Sequence, residues 1–313
     1  MNNDVLMCEH CGQKITIYFD NEYDGKRGKC LSCGTDFPLT WGIIMSENND
    51  EDFSMFKEKY EKIDRFNVAD MLLSKQSTKT VDSDTMILDT QKRIWNSLKK
   101  GIEYDATVDE SDTFLRKNVG KKLGMVVMYA DLVGSTNMSL SLSEEKVAMV
   151  ISSFAQEMAL AITQHNGFVL KFVGDAVIGY FMGSSELLAA DNGVNCAKSM
   201  IKILEKGIDP ILKQHDYPEL KVKIGLDYGA NMIVRYGSDK EKSHVDILGP
   251  AMNMASKIQN MAKAQEIMIG EDVHSRLHPT LQDEFEKQTL TDAQWKYRYR
   301  ETNRQYPIYL RKN

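Results

Sequence analysis

The chain has 313 residues, 42% of them hydrophobic and 27% charged, with a formal net charge of −6. That length can bury one large core and still carry a smaller module, and the acidic balance argues against general attraction to nucleic acid or an anionic membrane. The start, MNNDVLMCEH, lacks a signal-peptide pattern, and no apolar stretch approaches the roughly 20 residues of a membrane span, so a soluble, cytoplasmic protein is expected.

Residues 1–45 read as a zinc ribbon. Cys8 and Cys11, then Cys30 and Cys33, form two C-x2-C knuckles eighteen residues apart, the spacing that delivers four thiolates to one structural Zn2+. Gly12 and Gly34 follow the knuckles and suit the tight turns, and "KITIYF" and "DFPLTW" read as strands. His10 is a bystander inside the first knuckle, and Cys196 belongs to an apolar helical pattern and reads as core. Residues 1–45 hold four basic against six acidic residues, so no DNA-binding face is evident and a protein partner or a dimer-setting role fits the ribbon better.

Residues 46–120 are expected to form a helical linker region. "SENNDED" is a polar connector; Phe53, Phe56, Tyr60, Ile63 and Phe66 then recur at helical spacing, and a second helix is expected around "ILDTQKRIWNSLKKGIEY". From 121 to 313 the pattern is α+β. "GMVVMYADL" reads as a buried strand, and Val147, Ile151, Phe154, Met158 and Ile162 mark a packed helix. A hairpin at "VLKFVGDAVIGYF" precedes a second helix through Leu187, Ala190, Val194, Ala197, Ile201 and Leu204. "KVKIGLDYG" alternates like a strand, with "NMIVRYG" expected as its hairpin partner. In order this is β-α-β-β-α-β with an extra hairpin strand, a ferredoxin-like core. A helix near 251–262, a strand at "EIMI" and C-terminal strands around "WKYRYR" and "YPIYLRK" complete the expectation.

Two carboxylates stand where chemistry would be placed. Asp131 ends the first strand ahead of "LVGST", where Gly134, Ser135 and Thr136 can turn backbone N–H groups toward phosphate. Asp175 lies in the hairpin turn, and neighbouring strands of one sheet can bring the two together to hold magnesium. Taken singly, either could merely cap a turn.

"YADLVGST", "KFVGDAV" and "DILGPAMNMASK" together resemble, in order and separation, the signature stretches of the class III nucleotidyl cyclases, the adenylyl/guanylyl cyclase catalytic domain. The resemblance implies that Asp131, Asp175 and the carbonyl of Leu132 bind two Mg2+ or Mn2+ ions per site. It implies that Lys171 and Asp246 read the base, donating to adenine N1 and accepting from its 6-amino group, and that Asn253 orients the ribose. It puts a charge-stabilising arginine at 257, where this chain has Lys257, which keeps the charge and lacks the bidentate fork. Pro250 stands where many members carry an acidic residue. In such enzymes the sites lie between antiparallel subunits, so Lys171 and Asp175 would serve different sites of a homodimer. The implied function is an adenylate cyclase converting ATP to 3′,5′-cyclic AMP and pyrophosphate. The alternatives are a cyclase for a pyrimidine or guanine nucleotide, or a degenerate cyclase domain that binds nucleotide and signals. Diguanylate cyclases rank low, because "VGDAV" lacks the second glycine and the glutamate of their hairpin.

Overall fold

The computed structural model describes residues 3–7, 14–18, 27–29, 36–38, 83–101, 108–299 and 302–312, in two compact units, Met1–Val68 and Ala69–Asn313. In the first unit β1 (Asn3–Met7) pairs antiparallel with β2 (Lys14–Tyr18), and β3 (Arg27–Lys29) with β4 (Asp36–Pro38). Cys8, Cys11, Cys30 and Cys33, like the polar connector and the helix expected around Phe53–Phe66, lie outside the described residues.

The second unit opens with α1 (Ser83–Lys100) and α2 (Asp109–Lys117). Then come β5 (Lys122–Leu132), α3 (Ser135–Ser141), α4 (Glu144–Gln164), and the hairpin of β6 (Gly167–Val173) and β7 (Ala176–Phe181). Next are α5 (Glu186–Lys202), which runs into a π-helical turn at Ile203–Ile208, and α6 (Asp209–Lys213). β8 (Val222–Tyr236), β9 (His244–Leu248) and α7 (Pro250–Met261) follow, then β10 (Ile267–Gly270), α8 (Glu271–His274), α9 (Pro279–Gln282), β11 (Phe285–Lys287) and β12 (Ile308–Arg311). The strands form one eight-stranded sheet in the order β11-β12-β10-β8-β5-β7-β6, with β9 on the outer half of β8. Its β8-β5-β7-β6 portion is antiparallel throughout, as the expected βαββαβ core requires.

Alternation along β5 assigns its residues to two faces. Val126, Met128, Ala130 and Leu132 belong to the main core with Val150, Phe154, Met158 and Ile162 of α4 and Val194, Ala197 and Ile201 of α5. Met125, Val127, Tyr129 and Asp131 lie on the other face, which α7 crosses. Gly225 and Gly229 let it do so: a Cβ on Gly225 would run into the backbone of Gln259, and one on Gly229 would sit 3.3 Å from the Ala251 Cβ. That close approach corrects the expected break between "KVKIGLDYG" and "NMIVRYG". Gly229 is the bed of a helix, not a turn; β8 runs unbroken for 15 residues and its hairpin partner is β9.

Two further expectations change. Among the described residues, the expected "WKYRYR" strand reduces to a single bridge between Arg298 and Gln305, because Trp295 is buried and donates its indole N–H to the Tyr306 carbonyl at 2.7 Å, holding the segment as a strap. And α4, 21 residues long with a mean hydropathy of 1.2 over its most apolar stretch, is long and apolar enough by composition to span a membrane. Here its apolar side is spent on the core, and it buries Glu157 as well.

Glu157 is only 2% exposed and is met from α1. Arg93 donates to it through Nε and Nη2, both at 2.7 Å, and Thr90 donates at 2.7 Å. One residue along, Gln91 donates to the Lys206 carbonyl in the π-turn at 2.7 Å, and Gly207 leaves room for the Thr90 methyl. A π-turn shifts the backbone ladder by a residue, and α1 side chains take up the resulting polar surface. On the opposite face, α2 places Phe114 against Phe168, with ring centroids 5.3 Å apart, and Phe168 stacks on Tyr180 at 5.1 Å.

Candidate functional site

Asp131 is the last polar residue of β5, and three neighbours define its setting. Ala176 is its register partner on β7 and Lys223 its partner on β8. The Lys223 ammonium lies 3.1 Å from Asp131 Oδ2, and Gln259, from the buried side of α7, donates to that same oxygen at 3.0 Å. Asp175 immediately precedes Ala176, in a two-residue turn whose Gly174 has φ +61, the left-handed conformation glycine tolerates. Sheet register thus brings Asp131 and Asp175 to the same end of the β5–β7 pair. Leu132 follows, buried, with its side chain on the core face. Gly134, at φ +82, opens α3 without a side-chain cap, and Ser135 and Thr136 form its first turn.

The second cluster is built from β6 and β9. Lys171 Nζ lies 2.5 Å from Asp246 Oδ2, across 75 residues of sequence, while Asp246 Oδ1 accepts from the Ile247 amide at 2.9 Å. The lysine's ion-pair partner is therefore Asp246, not Asp175, four residues after it. His244, exposed and stacked on Tyr236, brings Nε2 to 3.8 Å from Asp246 Oδ2. Tyr129 completes the group. It pairs with Ile178, which pairs with Lys171, so one cross-strand row runs Tyr129, Ile178, Lys171 along the α7 face. Burial, and then the charge of Asp246, push the Tyr129 phenol above its ordinary range.

Asn253 and Lys257 are exposed on α7, one turn apart and on one side. Gln259 is buried. At about 100° per residue, Lys257 projects about 160° and Asn253 about 120° away from Gln259. Within one chain, then, the helix touches Asp131 with one side and presents Asn253 and Lys257 on the other. Around them the candidate residues stand apart: Asp131 and Asp175 with the α3 turn, Lys171 paired with Asp246, and Asn253 with Lys257 on the exposed side of α7.

Hard oxygen donors at Asp131 and Asp175 fit magnesium or manganese, and Lys223 and Gln259 hold Asp131 in place beside the turn. Among the described residues no cluster of three or more His, Cys, Asp or Glu side chains gathers for a metal, so a metal held here would take its remaining donors from backbone, water or substrate oxygens. Sequence reading missed Lys223, Gln259, Tyr129 and His244. Gln259 had a signal, being the polar residue on the buried stripe of Ala251, Ala255 and Ile258. So did Tyr129, two residues before Asp131 and hence on its face. Lys223 and His244 become visible only once the β5–β8 and β8–β9 registers are known.

The family model described as the adenylate and guanylate cyclase catalytic domain matches residues 120–308. A cytidylate cyclase from Staphylococcus aureus is 28% identical over 53% of this chain and 40% of its own length. A uridylate cyclase from Gulbenkiania mobilis is 25% identical over 64% of this chain and 83% of its own. An adenylate cyclase from Anabaena cylindrica is 25% identical over 48% and 30%. The chain spans less than half the length of the cytidylate cyclases it matches. Among solved structures, an adenylyl cyclase from P. aeruginosa superposes with a TM-score of 0.52 at 20% identity, covering 62% of this chain and 95% of that one, a likeness of fold.

Proposed function

The chain belongs to the adenylate and guanylate cyclase catalytic domain family, and from that premise we propose that it converts ATP to 3′,5′-cyclic AMP and pyrophosphate. The observation that carries the choice of base is the Lys171–Asp246 contact. It sets a donor beside an acceptor, the complement of a ring nitrogen beside an exocyclic amino group. Guanine and uracil present the reverse polarity and would set donor against donor and acceptor against acceptor. Cytosine presents the same pair as adenine, and cytidylate cyclases stand among the relatives, so CTP is the second reading.

In the reaction the ribose 3′-oxygen attacks the α-phosphorus, the bond to the bridging oxygen breaks, and pyrophosphate leaves in line. Asp131, Asp175 and the Leu132 carbonyl would hold two divalent ions, magnesium or manganese. When bound, these supply charge stabilisation to the 3′-oxygen and the triphosphate. The Gly134-Ser135-Thr136 turn offers amides to phosphate. Asn253 fixes the ribose, and Lys257 places a point charge against the α-phosphoryl oxygens as their charge grows. Because α7 directs Asn253 and Lys257 away from Asp131, the reading includes a two-fold homodimer whose sites each combine the carboxylates of one copy with the α7 face of another. It includes one structural zinc in the first unit, supported by the two hairpins that bracket the cysteine pairs in sequence, and a cytoplasmic setting, where such thiolates stay reduced.

The test is incubation of purified protein with each of ATP, CTP, GTP and UTP and manganese, with products identified by mass and zinc measured on the same preparation. Cyclic AMP as the main product, with about one zinc per chain, is expected. A main product of cyclic GMP or cyclic UMP would overturn the base assignment.

A further inference from the structure

The strand registers alone would keep Lys171 and Asp246 far apart. Lys171 belongs to the cross-strand row that runs through Ile178 and Tyr129 to Gly225 on β8. Asp246 pairs with Val234, nine residues further along β8 and about 30 Å away on an extended strand. Yet the ammonium and the carboxylate meet at 2.5 Å. The outer half of β8, with β9 on it, must therefore curl back toward β6, and something has to hold it there.

The helix α2 touches both sides of that gap. Toward the sheet, Phe114 stacks on Phe168, and Ser111 donates to the Tyr180 hydroxyl at 3.2 Å. Phe168 and Tyr180 form the cross-strand row next to that of Lys171, on the same face. Toward the hairpin, Arg116 Nη1 donates to the Ser243 carbonyl at 2.8 Å and to the Lys240 carbonyl at 3.3 Å. Ser243 is buried, and it stands three residues before Asp246. Asp112, one turn back on α2, grips the same guanidinium: Nε and Nη2 donate to its two oxygens at 2.5 and 3.0 Å. That fork aims the remaining donors at the hairpin. The chain leaving α2 adds a second hold beside Val234. The Gly120 amide donates to the Ile233 carbonyl at 2.8 Å, and the Ile233 amide donates to the Lys121 carbonyl at 3.0 Å. All of α2 precedes residues 120–308, so this support lies outside the stretch that matches the cyclase family model.

We propose that Arg116 is a positioning residue for the Lys171–Asp246 pair: it fixes the carbonyls ahead of β9 over α2 and so holds Asp246 at Lys171. Without it the hairpin keeps its own ladder, but the acceptor half of the pair drifts from the donor half. This inference rests on the base-reading role given to Lys171 and Asp246 above.

The experiment measures kcat and KM for ATP and CTP, and inhibition by tripolyphosphate, with manganese present throughout. It compares wild type, Arg116→Met, Asp246→Ala and the double variant, with thermal melting to confirm that each is folded. Arg116→Met is expected to raise KM about tenfold with kcat within about twofold, since it loosens a contact made equally before and during the reaction. Tripolyphosphate carries no base and should inhibit as it does in wild type. On top of Asp246→Ala, Arg116→Met should add less than about twofold, because it acts through that carboxylate. A merely structural role would weaken tripolyphosphate as well and would multiply with Asp246→Ala; either result, or an unchanged KM, overturns the proposal. If Arg116→Met does not fold, Asp112→Ala takes its place, leaving the guanidinium without its fork, and should raise KM about threefold. Where turnover is too slow, dissociation constants from competition binding give the same comparisons. Asp246→Ala with KM unchanged, or wild type that accepts only GTP or UTP, would instead overturn the base-reading assignment and the proposal with it, a result distinct from failure at Arg116.

Discussion

Asp209, at the head of α6, shows how one carboxylate can carry a pH dependence far from any substrate. Burial raises it to about 6, more than the hydrogen bond from the Leu220 amide at 2.9 Å can lower it. The folded chain therefore holds this proton more tightly than the unfolded chain, whose aspartate keeps the usual value near 3.8. The sign follows: the contribution to stability is fully present below about 4, falls as pH rises to about 6, and stays lost above it. Asp209→Asn keeps an oxygen for the Leu220 amide and removes the charge. It should gain about 1 kcal/mol at pH 7.5, after discounting for solvent screening of a half-exposed group, and almost nothing at pH 3.5. Melting curves at the two pH values decide it; equal shifts would refute the assignment to ionisation. At this scale the site was legible wherever a residue's role depends on its neighbours in sequence, as for Asp131 and Gly134. The pairing of Lys171 with Asp246 could not come from spacing, because 75 residues and two separate strands lie between them.

Among the elements, the seating of α1 makes the strongest energetic claim. Glu157 is buried in α4, and Arg93 and Thr90 reach it from α1. Removing one partner of such a pair leaves a charge without compensation. Arg93→Ala should destabilise the unit by about 3 kcal/mol, read as a lower urea midpoint at unchanged slope. Replacing both, as Arg93→Met with Glu157→Met, should recover most of that loss, since no charge is left to desolvate. Failure of the double variant to recover would mean that geometry, not charge, is what Arg93 supplies. Periodicity located α4 and α5, because each has an apolar side at helical spacing. It failed at β8, where Gly229 obeys the contact with α7, and at residues 295–299, where aromatic alternation serves a strap around Trp295 and Tyr306. Both failures have one cause: a glycine or an aromatic records what touches it, and the toucher is remote in sequence.

For the whole molecule, the placing of Asp131 and Asn253 in separate groups predicts complementation. Asp131→Ala should be nearly inactive alone, and so should Asn253→Ala. Mixed and allowed to exchange subunits, half the dimers are heterodimers, each with one site bearing both lesions and one bearing neither. Activity should return to about a quarter of wild type on random pairing. Verified heterodimers without recovery would sink the shared-site arrangement. The anchoring of α1 adds a mechanical consequence. Thr90, Gln91 and Arg93 make their contacts within a single helical turn, so they sit side by side and not in series along the helix. A pull on the chain ahead of α1 would thus meet all three together, and they would yield together. Such a fastening behaves like a snap, closed or open, with little travel between: a tug below threshold leaves the fold as it is, and one above it bares Glu157 and the π-turn in one step.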